Sequence, residues 1–124
     1  MRLNPDLIRD ILLVVEENCT LTETVDSTLL FSKIKGYDEE TIMYHVNQAE
    51  LSGLFTKVDH YWGIDLSIRD LSPEGHKFVN EIRNDNAWNK TKNSAAKLGN
   101  YSFQALMTIA SDVTTNLISK QLGI

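Results

Sequence analysis

The stretch Asp38-Glu39-Glu40-Thr41-Ile42-Met43-Tyr44-His45-Val46-Asn47-Gln48-Ala49-Glu50-Leu51-Ser52-Gly53-Leu54 decides the fold. Asp38 is a side-chain acceptor placed ahead of two acidic residues, the composition of a helix start facing the positive end of its own dipole. Ile42, His45, Val46 and Ala49 then share one side and form an inward stripe, and Gly53 stands where a left-handed residue closes a helix. Beyond it Leu54-Phe55-Thr56-Lys57-Val58 reads as a strand, Asp59-His60-Tyr61-Trp62-Gly63 as a turn, and Ile64-Asp65-Leu66-Ser67-Ile68 alternates with the period of a half-buried second strand. A hairpin follows. Leu71-Ser72-Pro73-Glu74 opens the next helix, with Ser72 as cap, Pro73 at the first helical position, and Phe78, Val79 and Ile82 facing inward as far as about Asn84.

Upstream, Asn4-Pro5-Asp6 starts a helix that runs to about Glu17 and turns Leu7, Ile8, Ile11, Leu12 and Val15 to one side. Asn18 to Asp26 is polar and reads as a connecting loop, and Leu29-Leu30-Phe31 fits either a short strand or a turn of helix. Downstream, Asp85 or Asn86 caps a helix with Trp88, Thr91, Ala95 and Leu98 on one side and Gly99 as its stop. A last helix after Ser102 carries Phe103, Leu106, Ile109, Ala110, Val113, Leu117 and Ile118 on a broad apolar face. Two helices alone bury such faces poorly, so this extension is expected to cover the preceding domain or to pair with a second copy, and the width of its last apolar face suggests a homodimer.

With 124 residues, 42% of them apolar and 23% charged, the chain supports one ordinary core rather than two, and it is neither disordered nor of low complexity. No apolar run approaches the roughly 20 residues of a membrane span, and the start lacks a basic-then-apolar leader; a soluble, cytoplasmic protein is expected, with no membrane partner. Cys19 is the single cysteine, which excludes an internal disulfide and a thiolate-rich zinc site. The net charge of −5 is unevenly spread: residues 1–82 hold seven Lys/Arg against fifteen Asp/Glu, and residues 83–124 hold five against two. A body of net charge −8 repels a nucleic-acid duplex unless its bases are clustered.

The order helix, short element, helix ending in Gly53-Leu54, strand, turn, strand, helix resembles a winged helix, in which a three-helix core carries a small hairpin, the wing. Leu71-Ser72-Pro73-Glu74-Gly75 is similar to the Leu-Thr-x-x-Gly segment that often follows the wing. Over nearly its whole length the chain also resembles a family of small proteins of unknown function from phages and from prophage-bearing low-GC Gram-positive bacteria. That resemblance is carried by Arg9-Asp10-Ile11-Leu12, Tyr44-His45, Gly75-His76-Lys77-Phe78 with Ile82-Arg83, and Trp88. It implies regulation or host interference, without assigning residues. The expected fold is therefore α+β: a winged-helix-like domain over residues 1–84 and a helical extension over residues 85–124.

Such a fold implies a DNA-binding regulator of phage type, in which the outer face of the third helix enters the major groove. Here that face offers Tyr44 for phosphate and Asn47 and Gln48 for base edges, with Lys33 and Lys35 just upstream and Lys57 on the wing. Lys90 and Lys97, two turns apart in the extension, fit either a phosphate-contacting stripe or a solvated face opposite Trp88. Against DNA stand Asp38, Glu39, Glu40 and Glu50, with no Lys or Arg on the third helix to offset them. The alternative is an acidic protein-interaction module that keeps the winged-helix shape without binding DNA, its partner a host or phage protein. His60, Tyr61 and Trp62 crowd the wing tip, with Trp62 expected to fold back on the core. His45, His60 and His76 lack the short helical spacing of zinc ligands, and His45 and His76 read as hydrogen-bonded structural residues. No nucleophile elbow or phosphate-cradling glycine loop marks an enzyme, and no cofactor or metal is expected.

Overall fold

Asn4 opens the first helix: its side-chain oxygen accepts from the backbone N–H groups of Asp6 and Leu7, and Pro5 takes the position where a missing N–H costs nothing. A computed structural model describes all residues from Met1 to Ile124. Helix α1 spans Pro5–Asn18, followed by β1 (Val25–Asp26), α2 (Ser27–Lys33), α3 (Glu39–Leu51), β2 (Val58–His60), β3 (Leu66–Ile68), α4 (Pro73–Ile82), α5 (Asp85–Leu98) and α6 (Phe103–Leu122). The protein is thus mixed α+β, and it divides into two compact units, Met1–His76 and Lys77–Ile124, the division falling inside α4.

In the first unit, α1 and α2 pack on α3. Leu7, Ile8, Ile11, Leu12 and Val15 of α1 are buried, as are Ile42, Met43, His45, Val46 and Ala49 of α3, so both helices turn the predicted stripes inward. His45 is a buried polar group that pins the two together. Its Nε2 accepts from the Asn4 N–H at 2.9 Å, which leaves Nδ1 to carry the proton and donate to the Thr41 carbonyl at 2.8 Å. The stretch around Leu29, left open between strand and helix, is α2. Asp26 caps it, accepting from the Leu29 N–H.

The sheet has the order β1-β3-β2, antiparallel throughout, with Val25 and Val58 both opposite Ile68. Three corrections to the sequence reading arise here. Asn18 to Asp26 is not all loop, because Val25–Asp26 pairs with β3; two residues leave no periodicity to read. The first hairpin limb is regular only from Val58, although Phe55 bridges Leu71 in the same register and the Thr56 N–H reaches the Asp70 carbonyl at 3.0 Å. The second limb begins at Leu66 rather than Ile64, because the turn takes Asp65: the Tyr61 N–H donates to the Asp65 carbonyl, and Gly63 sits at φ +69°.

Ser27 and Ser72 tie the sheet to the helices. The Ser27 hydroxyl accepts from the Leu66 N–H, and that of Ser72 donates to the Gly53 carbonyl at 2.6 Å while accepting from the Gly75 N–H. Gly75 is required at this joint, since a Cβ there would run into the backbone carbonyl of Leu54. Gly53, at φ +78°, closes α3 as predicted, with the Leu54 N–H returning to the Ala49 carbonyl.

In the second unit α5 packs on α6, and Ala87, Trp88, Thr91, Ala95, Phe103, Leu106 and Ala110 are buried. Asn84, not Asp85 or Asn86, caps α5 by accepting from the Ala87 N–H. Leu98, predicted on the inward side, is 71% exposed, because the helix ends at Gly99 one residue later and its last turn has no neighbour to cover it. The apolar face of α6 is likewise buried only in its first half, and Ile118, Leu122 and Ile124 are exposed.

Candidate functional site

The outer face of α3 is built by the residues left over from its buried stripe. Asn47 and Leu51 are exposed and Tyr44 and Gln48 half-buried, with the Tyr44 ring edge-on to His45 at 5.8 Å. Lys33 and Lys35 are exposed at and just beyond the end of α2. The N-terminal turn of α3 is acidic: Glu39 and Glu40 are exposed, and Asp38 caps the helix by accepting from the Thr41 N–H at 2.8 Å. The Thr41 hydroxyl and, second to it, this backbone N–H hold the Asp38 carboxyl below its ordinary pKa, so its charge persists into acid.

The bases on the hairpin are both paired with an acid. Lys57 lies 3.3 Å from one carboxylate oxygen of Asp59, and Arg69 lies 3.8 Å from the other. One aspartate thus offsets both cations, which are well exposed and gain little stability from the pairing.

The hairpin tip carries the feature that sequence reasoning missed. Trp62 does not fold back on the core. It is 93% exposed, with Tyr61 and Ile64 also exposed beside it around the turn at Gly63. The His60 Nε2–H donates to Glu50 Oε1 at 2.8 Å, joining the base of this tip to the last turn of α3, where Leu51 is 80% exposed. Tyr61, Trp62 and Ile64 on the hairpin and Leu51 on α3 are thus exposed on the two elements that this hydrogen bond joins. The run His60-Tyr61-Trp62-Gly63-Ile64 showed in the sequence that rings crowd this turn, but not whether they are exposed.

His76 differs from its expected role: it is half exposed, with Nε2 4.0 Å from Asp70 Oδ1, too far for a hydrogen bond. Cys19, just past α1, donates weakly to the Ile68 carbonyl at 3.7 Å. Burial, with the Asp70 carboxylate nearby, pushes its thiol up to about 11.

Lys90 and Lys97 belong to the second unit, where both border a cleft of about 410 Å³ between α5 and α6. Lys120 of α6, which no sequence pattern singles out, stands on the same cleft. Lys92 points elsewhere, its ammonium 5.7 Å from the centre of the Trp88 ring. No three His, Cys, Asp or Glu side chains converge as metal ligands, and no helix is long and apolar enough to cross a membrane.

An uncharacterized protein of Haemophilus influenzae strain Rd is 30% identical over 122 residues, covering 96% of this chain and all of that protein. No solved structure matches significantly. A family model described as "Hypothetical protein (DUF2513)" matches residues 2–101, and the chain belongs to that family.

Proposed function

We propose that the first unit is a winged-helix module that docks a protein partner through its wing tip and the end of its third helix. The winged-helix reading is supported by the order α1-β1-α2-α3-β2-β3 and by the sheet order β1-β3-β2, with β2 and β3 as the wing. The observation that carries the docking role is the exposure of Tyr61, Trp62 and Ile64 on the hairpin and of Leu51 in the last turn of α3, two elements tied by the bond between His60 and Glu50. Tryptophan and tyrosine are among the residues that most often supply the binding energy where proteins meet. The charge agrees: residues 1–76 hold six Lys/Arg against fourteen Asp/Glu, and the wing cations share Asp59.

A second reading, a DNA-binding regulator of phage type, rests on the same element order and on Asn47 exposed on the outer face of α3, with Lys33, Lys35 and Lys57 as phosphate contacts. It requires the acidic first turn of α3 to approach a phosphate backbone, so the protein-docking reading ranks ahead. We also infer self-association through the exposed second half of α6.

Fluorescence anisotropy with random and phage-derived duplexes, titrated with salt, separates the two readings. Protein docking predicts no binding at 50 mM salt or above, together with capture of a protein from nuclease-treated host lysate that Trp62→Ser or Leu51→Ser abolishes. Duplex binding that weakens with salt and with Lys33→Gln and Lys57→Gln would establish the regulator instead.

A further inference from the structure

The cleft between α5 and α6 is lined by one face of each helix, distinct from the stripes the two helices bury. On α5 the lining residues are Lys90, Asn93, Ser94 and Lys97, at i, i+3, i+4 and i+7 on one largely exposed face. On α6 they fall at the same spacing, with Asn116 and Lys120 completing the polar set and Val113 and Leu117 as its apolar part. Six of these eight residues are polar, and the buried contact between the two helices is made by others, among them Trp88, Thr91, Ala95, Leu106 and Ala110.

The polar groups share one sign. Lys90, Lys97 and Lys120 bring three ammonium groups to the cleft, and no carboxylate lines it. The acids nearest along these helices lie elsewhere: Asp85 precedes the first lining residue by more than a turn, and Asp112 borders a separate cleft with Lys77 and Ser111. The Asn93, Asn116 and Ser94 side chains add amide and hydroxyl donors between the lysines. Three like charges around a single space of about 410 Å³ repel one another when it holds only water, and an anion there relieves that repulsion. The volume falls in the range of small-ligand sites.

We propose that this cleft binds a phosphoryl group, with Lys90, Lys97 and Lys120 supplying charge and Asn93 and Asn116 supplying hydrogen bonds. Phosphate suits the set because it offers several oxygens to several separate point-charge donors, the manner in which lysine binds it. The group belongs either to a small oligophosphate or to a nucleic-acid strand. The inference is independent of the wing, since every residue it uses lies in the second unit.

The test is calorimetry and amide chemical-shift mapping of the full chain with inorganic tripolyphosphate in 50 mM salt. Saturable binding that shifts amides on both α5 and α6, weakens with salt, and falls roughly tenfold or more in Lys90→Gln/Lys97→Gln/Lys120→Gln is the expected result. All three lysines are exposed, so that variant keeps its fold, checked by circular dichroism. Lys33→Gln/Lys35→Gln, with charge removed in the first unit, should bind as the parent does. No binding at millimolar tripolyphosphate, or equal weakening in both variants, overturns the site. A short single-stranded oligonucleotide that competes with tripolyphosphate and binds more tightly identifies a strand as the source; failure to compete identifies a small oligophosphate.

Discussion

Gly75 shows how a single residue can be constrained by a contact that no helix propensity reveals. In an exposed helix interior, alanine would be favoured over glycine by about 1 kcal/mol. Here a Cβ would meet the Leu54 carbonyl, which is fixed by the Ser72 N–H at 2.9 Å and cannot swing aside. The overlap costs more than the propensity returns, so Gly75→Ala is expected to destabilise the protein by about 1–3 kcal/mol, read as a lowered urea midpoint. Cys19 is constrained through its ionisation. With its thiol pushed up to about 11, mainly by burial, it is almost wholly protonated at neutral pH and should react with a disulfide reagent far more slowly in the native than in the unfolded chain. Because the folded value lies above the ordinary 9.0, the associated stability is fully present below pH 9 and is lost as pH rises toward 11. A native reaction rate at pH 7.5 equal to that in urea would contradict this.

The helices were readable wherever a cap side chain, a proline or a closing glycine punctuates an apolar stripe, as Asn4, Asp38, Ser72, Gly53 and Ser102 do. The same logic failed by one residue at α5, where Asn84, Asp85 and Asn86 are consecutive acceptors and only backbone geometry selects Asn84. Asn84→Ala is therefore expected to cost about 1 kcal/mol in thermal or urea unfolding, while Asn86→Ala, at an exposed position, costs much less. At α3 the cap is charged. Its lowered pKa means that the stabilisation is present above the ordinary 3.8 and disappears as pH falls below it, so Asp38→Asn should flatten the acid limb of the stability curve there. The strands were less legible, since β1, β2 and β3 have two or three residues each and their pairing is set by partners distant in sequence. The candidate site divides in the same way. The outer face of α3 follows from helical periodicity, but the exposure of Trp62 depends on where a turn points, and the company of Lys120 with Lys90 and Lys97 depends on how two helices lie together.

At the scale of the whole molecule, the second half of α6 sets the question of self-association. A helix of 20 residues whose first half buries Phe103, Leu106 and Ala110 continues past its neighbours with Ile118, Leu122 and Ile124 exposed. Leu117, Ile118 and Leu122 also border a groove of about 440 Å³ shared with Ala87 and Asn84. Burying three such side chains from each of two copies, at about 1.5 kcal/mol apiece, gives roughly 9 kcal/mol. Association costs at least about 4 kcal/mol in lost translational and rotational freedom, and the ends of the helix must also be ordered. What remains, about 5 kcal/mol or less, corresponds to a submillimolar dimer, too weak for an obligate assembly and strong enough to see at high concentration. Sedimentation velocity should therefore find monomer near 10 µM and a growing dimer fraction toward 1 mM, and Ile118→Ser/Leu122→Ser should abolish the dimer while leaving the helical signal unchanged. A monomer at 1 mM would overturn the dimer, since the exposed side chains on α6 would then gain too little from one another to hold two copies together.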